Sequence, residues 1–430
     1  MPGTAGAPVP TQCANMTAVA VERVQDLTAS VLQDVLRSSL GNPALKVVSV
    51  RDPEELLDLN VNLGSDLRKL VVTVVEEEGK SRDLHLVAKA ALQSWASWAN
   101  VWFGLFIFFR ESFWFSHGLE ELGKLVSEEQ LAGLLEVMPK VHLSYCNYQK
   151  ENMASCFISK PKEKGVIMME NLKEGREDPF VDMKEIERTS GGGVKSAHMQ
   201  MILKGLAHFH GAWMVWLKKG EGIGHLSRQQ VMDFFKQQSA YQYKWMWKAI
   251  IKKMMNRYVS LAEANKEQDT KDRVEAFRNS AETAEKLMRV FAYKDSKFAT
   301  VCHSDLHSGQ IMFSLNEDGE KNKECILVYT QINFTLFLSG TPKQTKILDY
   351  QGLTLGHPSI DIWTLVYSAT DAEYRATSLD EDLRAYFDVL STYMDTPADY
   401  AEFKQEVEEG RIYGLVMFSE FQPKNPSPLT

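Results

Sequence analysis

The stretch "HSDLHSGQIMF", residues 303 to 313, decides how this chain is read. An aspartate stands between two histidines, with a glutamine five residues on and a short apolar run behind it. Two chemistries suit such a group. A carboxylate on a polar loop beside a side-chain amide can orient a hydroxyl and help hold a hard cation. A His-x-Asp-x-His pattern can instead bind a transition metal. Positions 303, 305 and 307 share one face only in extended chain, yet the stretch reads as a polar loop after the apolar "FATVC" at 298–302. No HExxH or CxxC accompanies His303, Asp305 and His307, so a metallohydrolase would have to draw its remaining ligands from afar.

Working outward from Asp305, the other groups that phosphoryl transfer requires occur in a workable order. That reaction asks a protein for positioning and charge neutralisation. A carboxylate orients the attacking hydroxyl, oxygen ligands hold Mg²⁺, and a cation braced by a second carboxylate grips the phosphates. Asp305 and Gln310 share the loop, and Asp349 ends the strand-like "KILDY". Lys89 lies in "LVAKAAL" and Glu111 on the aromatic helix that follows, while Gly64 and Ser65 precede the first strand-like run, where a backbone-rich turn could cover phosphates. Each piece also has an ordinary structural reading. A strand lysine often marks a solvated face, Glu111 breaks an apolar helix, and Gly64 marks a turn. Taken in order, the set points to a phosphotransferase.

The surrounding pattern divides the 430 residues into an N-terminal tail (1–15), a mixed region (16–172) and a mostly helical region (173–430). Helical spacing covers 16 to 40 and ends at Gly41-Asn42-Pro43. "LRKLVVTVVEEE" and "LHLVAKAAL", joined by "GKSRD", read as a hairpin, and "GVIMMENL" as a buried strand. The aromatic helix runs from about Leu92 to Leu119, and further helices cover 127–137, the "LAHFHGA" stretch, 228–291 and 380–419. Trp and Met at helical spacing in 228–291 suit either ordinary core or the wall of an apolar pocket.

Composition removes several classes. A net charge of −9 and a pI near 5.7 lack the basic footprint of a nucleic-acid partner. Five scattered cysteines suit a reduced, cytoplasmic protein rather than a disulfide framework. The opening "MPGTAGAPVPTQ" reads as a disordered tail rather than a signal peptide. The apolar run at 96–115 is cut by Arg110 and Glu111 and is too short for membrane insertion.

The motifs resemble those of the ecdysteroid kinase-like (CHK kinase-like) family, in the choline kinase and aminoglycoside phosphotransferase group of protein-kinase-like folds. "HSDLHSGQIMF" matches a pattern like HGDLWxNNIMF, and "KILDYQGLTLGHPSIDIWTLVYS" one like LIDFQxxxxGxPxxDLxxFL. "FFRESFWF", "VIMMENLKEG" and "LAHFHGA" match shorter family segments. The resemblance implies an α+β, bilobal protein-kinase-like fold with a small antiparallel-sheet N-lobe and a larger helical C-lobe. It implies ATP and Mg²⁺, with the γ-phosphate passing to a hydroxyl of a small, apolar, ecdysteroid-like or xenobiotic alcohol. By motif, Asp305 becomes the catalytic base, Asp349 the main metal ligand and Gln310 the second. Lys89 and Glu111 become the phosphate-gripping pair, with Gly64 and Ser65 over the phosphates. Glu170, Asn171 and Leu172 become the hinge against adenine, through backbone groups. Asp361 takes a structural role, as the helix-start reading of its carboxylate also suggests, and His208 and His210 take packing roles.

Three departures stand out. Gln310 replaces an asparagine, so its amide oxygen sits about 1.5 Å further out. His307 replaces an aromatic residue and Gly309 a polar one, and the segment after Gln310 is longer than the family hairpin. The alternative these motivate is a pseudokinase-like protein that binds nucleotide or small molecule with weakened turnover.

Overall fold

The structure, a computed structural model, describes residues 21–55, 65–77, 79–91, 107–147, 164–190, 194, 196–236, 244–291, 296–316 and 341–418. The chain divides into two units, Met1–Lys124 with Pro139–Pro179 and Leu125–Met138 with Phe180–Thr430. The class is α+β, as the sequence suggests.

The first unit is an antiparallel sheet of five strands in the order β1-β2-β3-β5-β4: β1 Lys46–Glu55, β2 Ser65–Val75, β3 Ser81–Ala91, β4 Val141–Asn147 and β5 Lys164–Glu170. β2 and β3 pair without a register break from Ser65↔Ala91 to Val75↔Ser81, and Gly79, at φ +73°, makes the turn between them. Period-2 alternation turns Leu70, Val72, Val74, Leu86 and Ala88 to one face, where α1 (Ala29–Leu40) lays down Val31, Leu32, Val35 and Leu36. Thr28 caps α1 and Gly41 ends it in the left-handed region.

Two strands escape the sequence pattern. β1 carries Pro53, which an edge strand tolerates because no ladder hydrogen bond is lost there, and its register shifts between Arg51 and Glu54. β4, the other edge, has polar His142 and Ser144 buried among its apolar residues. The presence of β1 corrects the reading of Gly64 and Ser65 as preceding the first strand. Ser65 opens the second strand, and Gly64 lies outside the described residues.

Of the aromatic helix, residues 92–106 lie outside the described part. The rest is α2 (Ile107–Phe113), one π-helical turn (Trp114–Gly118) and α3 (Leu119–Gly123). Apart from the half-buried Ile107, α2 is buried throughout. Ser144 donates to the Ser112 carbonyl at 3.0 Å, which ties α2 to β4.

The second unit opens with α4 (Glu128–Glu136), started by a Ser127/Gln130 capping box. After the short β6 (Val181–Asp182) and α5 (Met183–Ser190) comes its longest helix, α6 (Ser196–Lys219), with Trp213 and Trp216 fully buried. The pair β7 (Gly222–Ile223) and β8 (Leu226–Ser227) leads to α7 (Arg228–Lys236), α8 (Lys244–Ala264), α9 (Gln268–Asn279) and α10 (Ala281–Val290). On α8, Trp247, Ile251, Met254 and Met255 pack in a core cluster with α10 and the C-terminal helix, so they are ordinary core rather than a pocket wall.

Three short strand pairings frame the loop of interest. β9 (Thr300–Cys302) pairs with β12 (Thr354–Gly356), and β10 (Ile311–Leu315) pairs with β11 (Pro342–Ile347) and with β6. The segment joining β10 to β11, including the strand-like 326–339, lies outside the described residues apart from its ends. The buried α11 (Ser359–Ala369), α12 (Ala372–Thr377), α13 (Leu379–Ser391), α14 (Tyr400–Glu409) and α15 (Arg411–Phe418) complete the unit. Among the described residues, no helix is long and apolar enough to cross a membrane.

Candidate active site

In the first unit, alternation along β3 turns Lys89 away from the face that Ala88 and Ala90 bury against α1. Its Nζ lies 2.5 Å from Glu111 Oε2 on α2. Both side chains are buried. A buried lysine is tolerated only when its charge is met, so the pair is a fixed cation rather than a solvated strand face. Sequence spacing could pair these residue types but not measure their contact.

In the second unit, the loop after β9 is held at its start by one carboxylate. Asp361, fully buried on the first turn of α11, accepts from the backbone N–H of His303 and of Ser304, each at 2.6 Å. It therefore anchors the loop across the fold rather than capping its own helix. His210 on α6 lies 2.9 Å from the same carboxylate through Nε2 and 2.7 Å from the Tyr386 hydroxyl through Nδ1. Burial holds His210 below its usual pKa, so the neutral ring donates from Nε2 to Asp361 and accepts from Tyr386. His210 was expected merely to pack; it links α6, α11 and α13 in a satisfied polar chain. His208 contacts the Tyr393 hydroxyl at 2.8 Å instead.

The His303 ring is committed as well. Nε2 donates to the Leu348 carbonyl at 2.8 Å, and Nδ1 accepts from the Asp305 N–H at 3.4 Å. With both nitrogens used, His303 braces the loop and offers no lone pair to a metal. Among the described residues, His210, Cys302 and Asp361 have ligand atoms within 4.8 Å of one another. They too are engaged: Cys302 Sγ meets the His357 carbonyl at 3.2 Å, and Asp361 holds two amides.

Asp305 follows Ser304, whose φ of +65° turns the chain sharply. Asp349 has the same φ, in a left-handed conformation that Asp tolerates better than most residues. The β10–β11 pairing brings its neighbour Leu348 to the Gln310 carbonyl, N–H to O 2.8 Å. Gln310 Nε2 then donates to Asp349 Oδ2 at 3.1 Å. Partial burial pushes the Asp305 carboxyl up to about 6, with the Asp349 charge adding to this and His303 and a hydrogen bond from Gln351 opposing it.

The ecdysteroid kinase-like family model matches residues 61–336 and 332–396. The chain belongs to that family. This kinase is thus a phosphotransferase of the small-molecule type, acting on a hydroxyl. Among solved structures it is similar to an aminoglycoside-3'-phosphotransferase of type VIII (13% identity, 90% of this chain and 98% of that one, TM-score 0.31). It is also similar to a microcompartment-associated aminopropanol kinase (9% identity, 93% and 91% covered, TM-score 0.31). No curated protein matches it.

Two further features of the kinase bear on nucleotide and metal. At the end of β5, the Glu170 N–H is bonded to the Lys140 carbonyl and that of Asn171 to the His85 carbonyl, both at 2.9 Å. The Glu170 carboxylate takes the Lys140 N–H and Arg176, and the Asn171 side chain folds onto the N–H groups of Lys173 and Glu174. Of the N–H groups of Glu170, Asn171 and Leu172, that of Leu172 is the one without a partner among the described residues. The donor set of Asp349 and Gln310 fits Mg²⁺, because a carboxylate and an amide oxygen are the hard ligands it prefers. Their 3.1 Å contact shows that the longer glutamine reaches Asp349, and half a turn of its terminal amide presents Oε1. Sequence reasoning missed Tyr386 and Gln351, for which a single sequence carries no signal.

Proposed function

We propose that this kinase transfers the γ-phosphoryl group of ATP, with Mg²⁺, to a hydroxyl of a small apolar alcohol of the ecdysteroid-like or xenobiotic kind. The observation that carries the reading is the loop of Asp305, a carboxylate with a pKa near 6 on a backbone pinned by Asp361 beside the Gln310–Asp349 pair. Such a group is mostly ionised at neutral pH and still basic enough to take a proton as the acceptor oxygen bonds to phosphorus. As that O–P bond forms, the bond from phosphorus to the β–γ bridging oxygen breaks. ADP leaves with its electron pair, and the hydroxyl proton passes to Asp305. The Lys89–Glu111 pair supplies the fixed cation for the α- and β-phosphates. Mg²⁺, held by Asp349 and Gln310 Oε1, would neutralise phosphate charge. Leu172 N–H supports adenine, and Ser65, with Gly64, the phosphate-covering turn. The acceptor class follows the family alone.

A second reading, nucleotide binding with slow turnover, draws on the Gln310 amide nitrogen facing Asp349. Acceptor-stimulated release of ADP separates the two. Purified protein, Mg·ATP and a panel of sterols, amino alcohols and plant-type alcohols should give it with at least one acceptor. Lys89→Met and Asp349→Ala should each abolish it while remaining folded. Full activity in both variants rejects these assignments, and nucleotide binding without turnover on any acceptor favours the second reading.

A further inference from the structure

Lys184 is a cation beside the loop of Asp305 that makes no ion pair among the described residues. It stands on the first turn of α5, directly after β6, whose Asp182 pairs with Met312 two residues beyond Gln310. A β-carbon added to Gly309 would lie 2.8 Å from Lys184 Nζ and 2.7 Å from the His307 ring. The ammonium therefore lies against the backbone of the loop at Gly309. Lys184 is exposed and has no hydrogen bond or ion pair among the described residues.

Lys184 shares the first turn of α5 with Glu185, and the partial positive charge of that turn favours an anion nearby. The ordinary explanation, a solvated surface lysine, does not account for an ammonium packed onto a glycine of this loop. The Lys184 ammonium, without an ion pair among the described residues, is open to an anion brought to the loop.

We propose that this anion is the phosphoryl group in transit: Lys184 contacts the γ-phosphate of the bound nucleotide and offsets the charge on its oxygens as it moves to the acceptor. The inference rests on the kinase reading above. It assigns Lys184 a task distinct from that of Lys89, since the transferred group is absent from ADP.

Calorimetric binding of a non-hydrolysable ATP analogue and of ADP, each with Mg²⁺, tests this without knowledge of the acceptor. In Lys184→Met, the analogue should bind about tenfold or more weakly while ADP changes less than about twofold, the scale of one lost charge-assisted hydrogen bond. Lys184→Arg, which keeps the charge, should retain the analogue's advantage over ADP. Unchanged binding of both nucleotides by Lys184→Met, or equal losses for both, overturns the proposal and leaves the kinase reading standing. If the wild-type protein binds neither nucleotide, both fall.

Discussion

Asp305→Asn should stabilise the fold while removing the proposed catalytic base, with a gain that depends on pH in a stated direction. The carboxyl moves from an ordinary 3.8 to about 6, worth about 3 kcal/mol at face value. The side chain is 38% exposed, so solvent screening reduces this to roughly 1 kcal/mol. For the sign, a raised carboxyl pKa means that the folded state binds the proton more tightly than the unfolded chain. The ionised form therefore costs stability in full above pH 6, and the cost shrinks as pH falls and is gone below 3.8. Asparagine, nearly the same shape, never carries that charge. Urea unfolding of both proteins at a series of pH values should show the variant more stable by roughly 1 kcal/mol at pH 8, with the gap closing towards pH 4. A variant less stable than wild type at pH 8, or a gap independent of pH, would refute the reasoning.

Other consequences follow from the same geometry. Asp361→Asn turns one acceptor oxygen into an NH₂ that must face a backbone donor of His303 or Ser304, and should cost about 2–4 kcal/mol in chemical unfolding; a loss below about 1 kcal/mol contradicts the anchoring role. Ser304→Gly relieves a left-handed backbone and removes a buried hydroxyl without a partner, so the unfolding free energy should rise by about 0.5–1 kcal/mol. Gln310→Asn shortens the amide; if the longer side chain weakens the metal site, half-saturating Mg²⁺ should fall by roughly 3- to 10-fold, about 1 kcal/mol. An unchanged Mg²⁺ requirement would show that glutamine already closes the site.

Much of the frame was legible because period and order carry it. The β2–β3 hairpin follows from alternating Val and Leu around a Gly turn, and α6 from its apolar spacing. Lys89, Glu111, Asp305, Gln310 and Asp349 were found by residue type and order, and the structure brings Lys89 to Glu111 and Gln310 to Asp349. Less legible were features set by partners distant in sequence. β1 hides behind Pro53 and its charges, since an edge strand needs little apolar pattern. Asp361 looks like an ordinary helix-start carboxylate until the fold brings it to amides 58 and 57 residues away. Lys184 looks like any surface lysine, because its neighbour Gly309 is 125 residues downstream (309 less 184).

The central claim is transfer of a phosphoryl group to a small-molecule hydroxyl, and labelled ATP tests it most directly. Purified protein is incubated with Mg²⁺, γ-labelled ATP and the alcohol panel, and the products are separated and analysed by mass spectrometry. At least one alcohol should gain a single labelled phosphoryl group at its oxygen, with one ADP formed for each, and Asp305→Asn should give none. Equal labelling by Asp305→Asn, or label appearing only as free phosphate with every alcohol, would contradict the account.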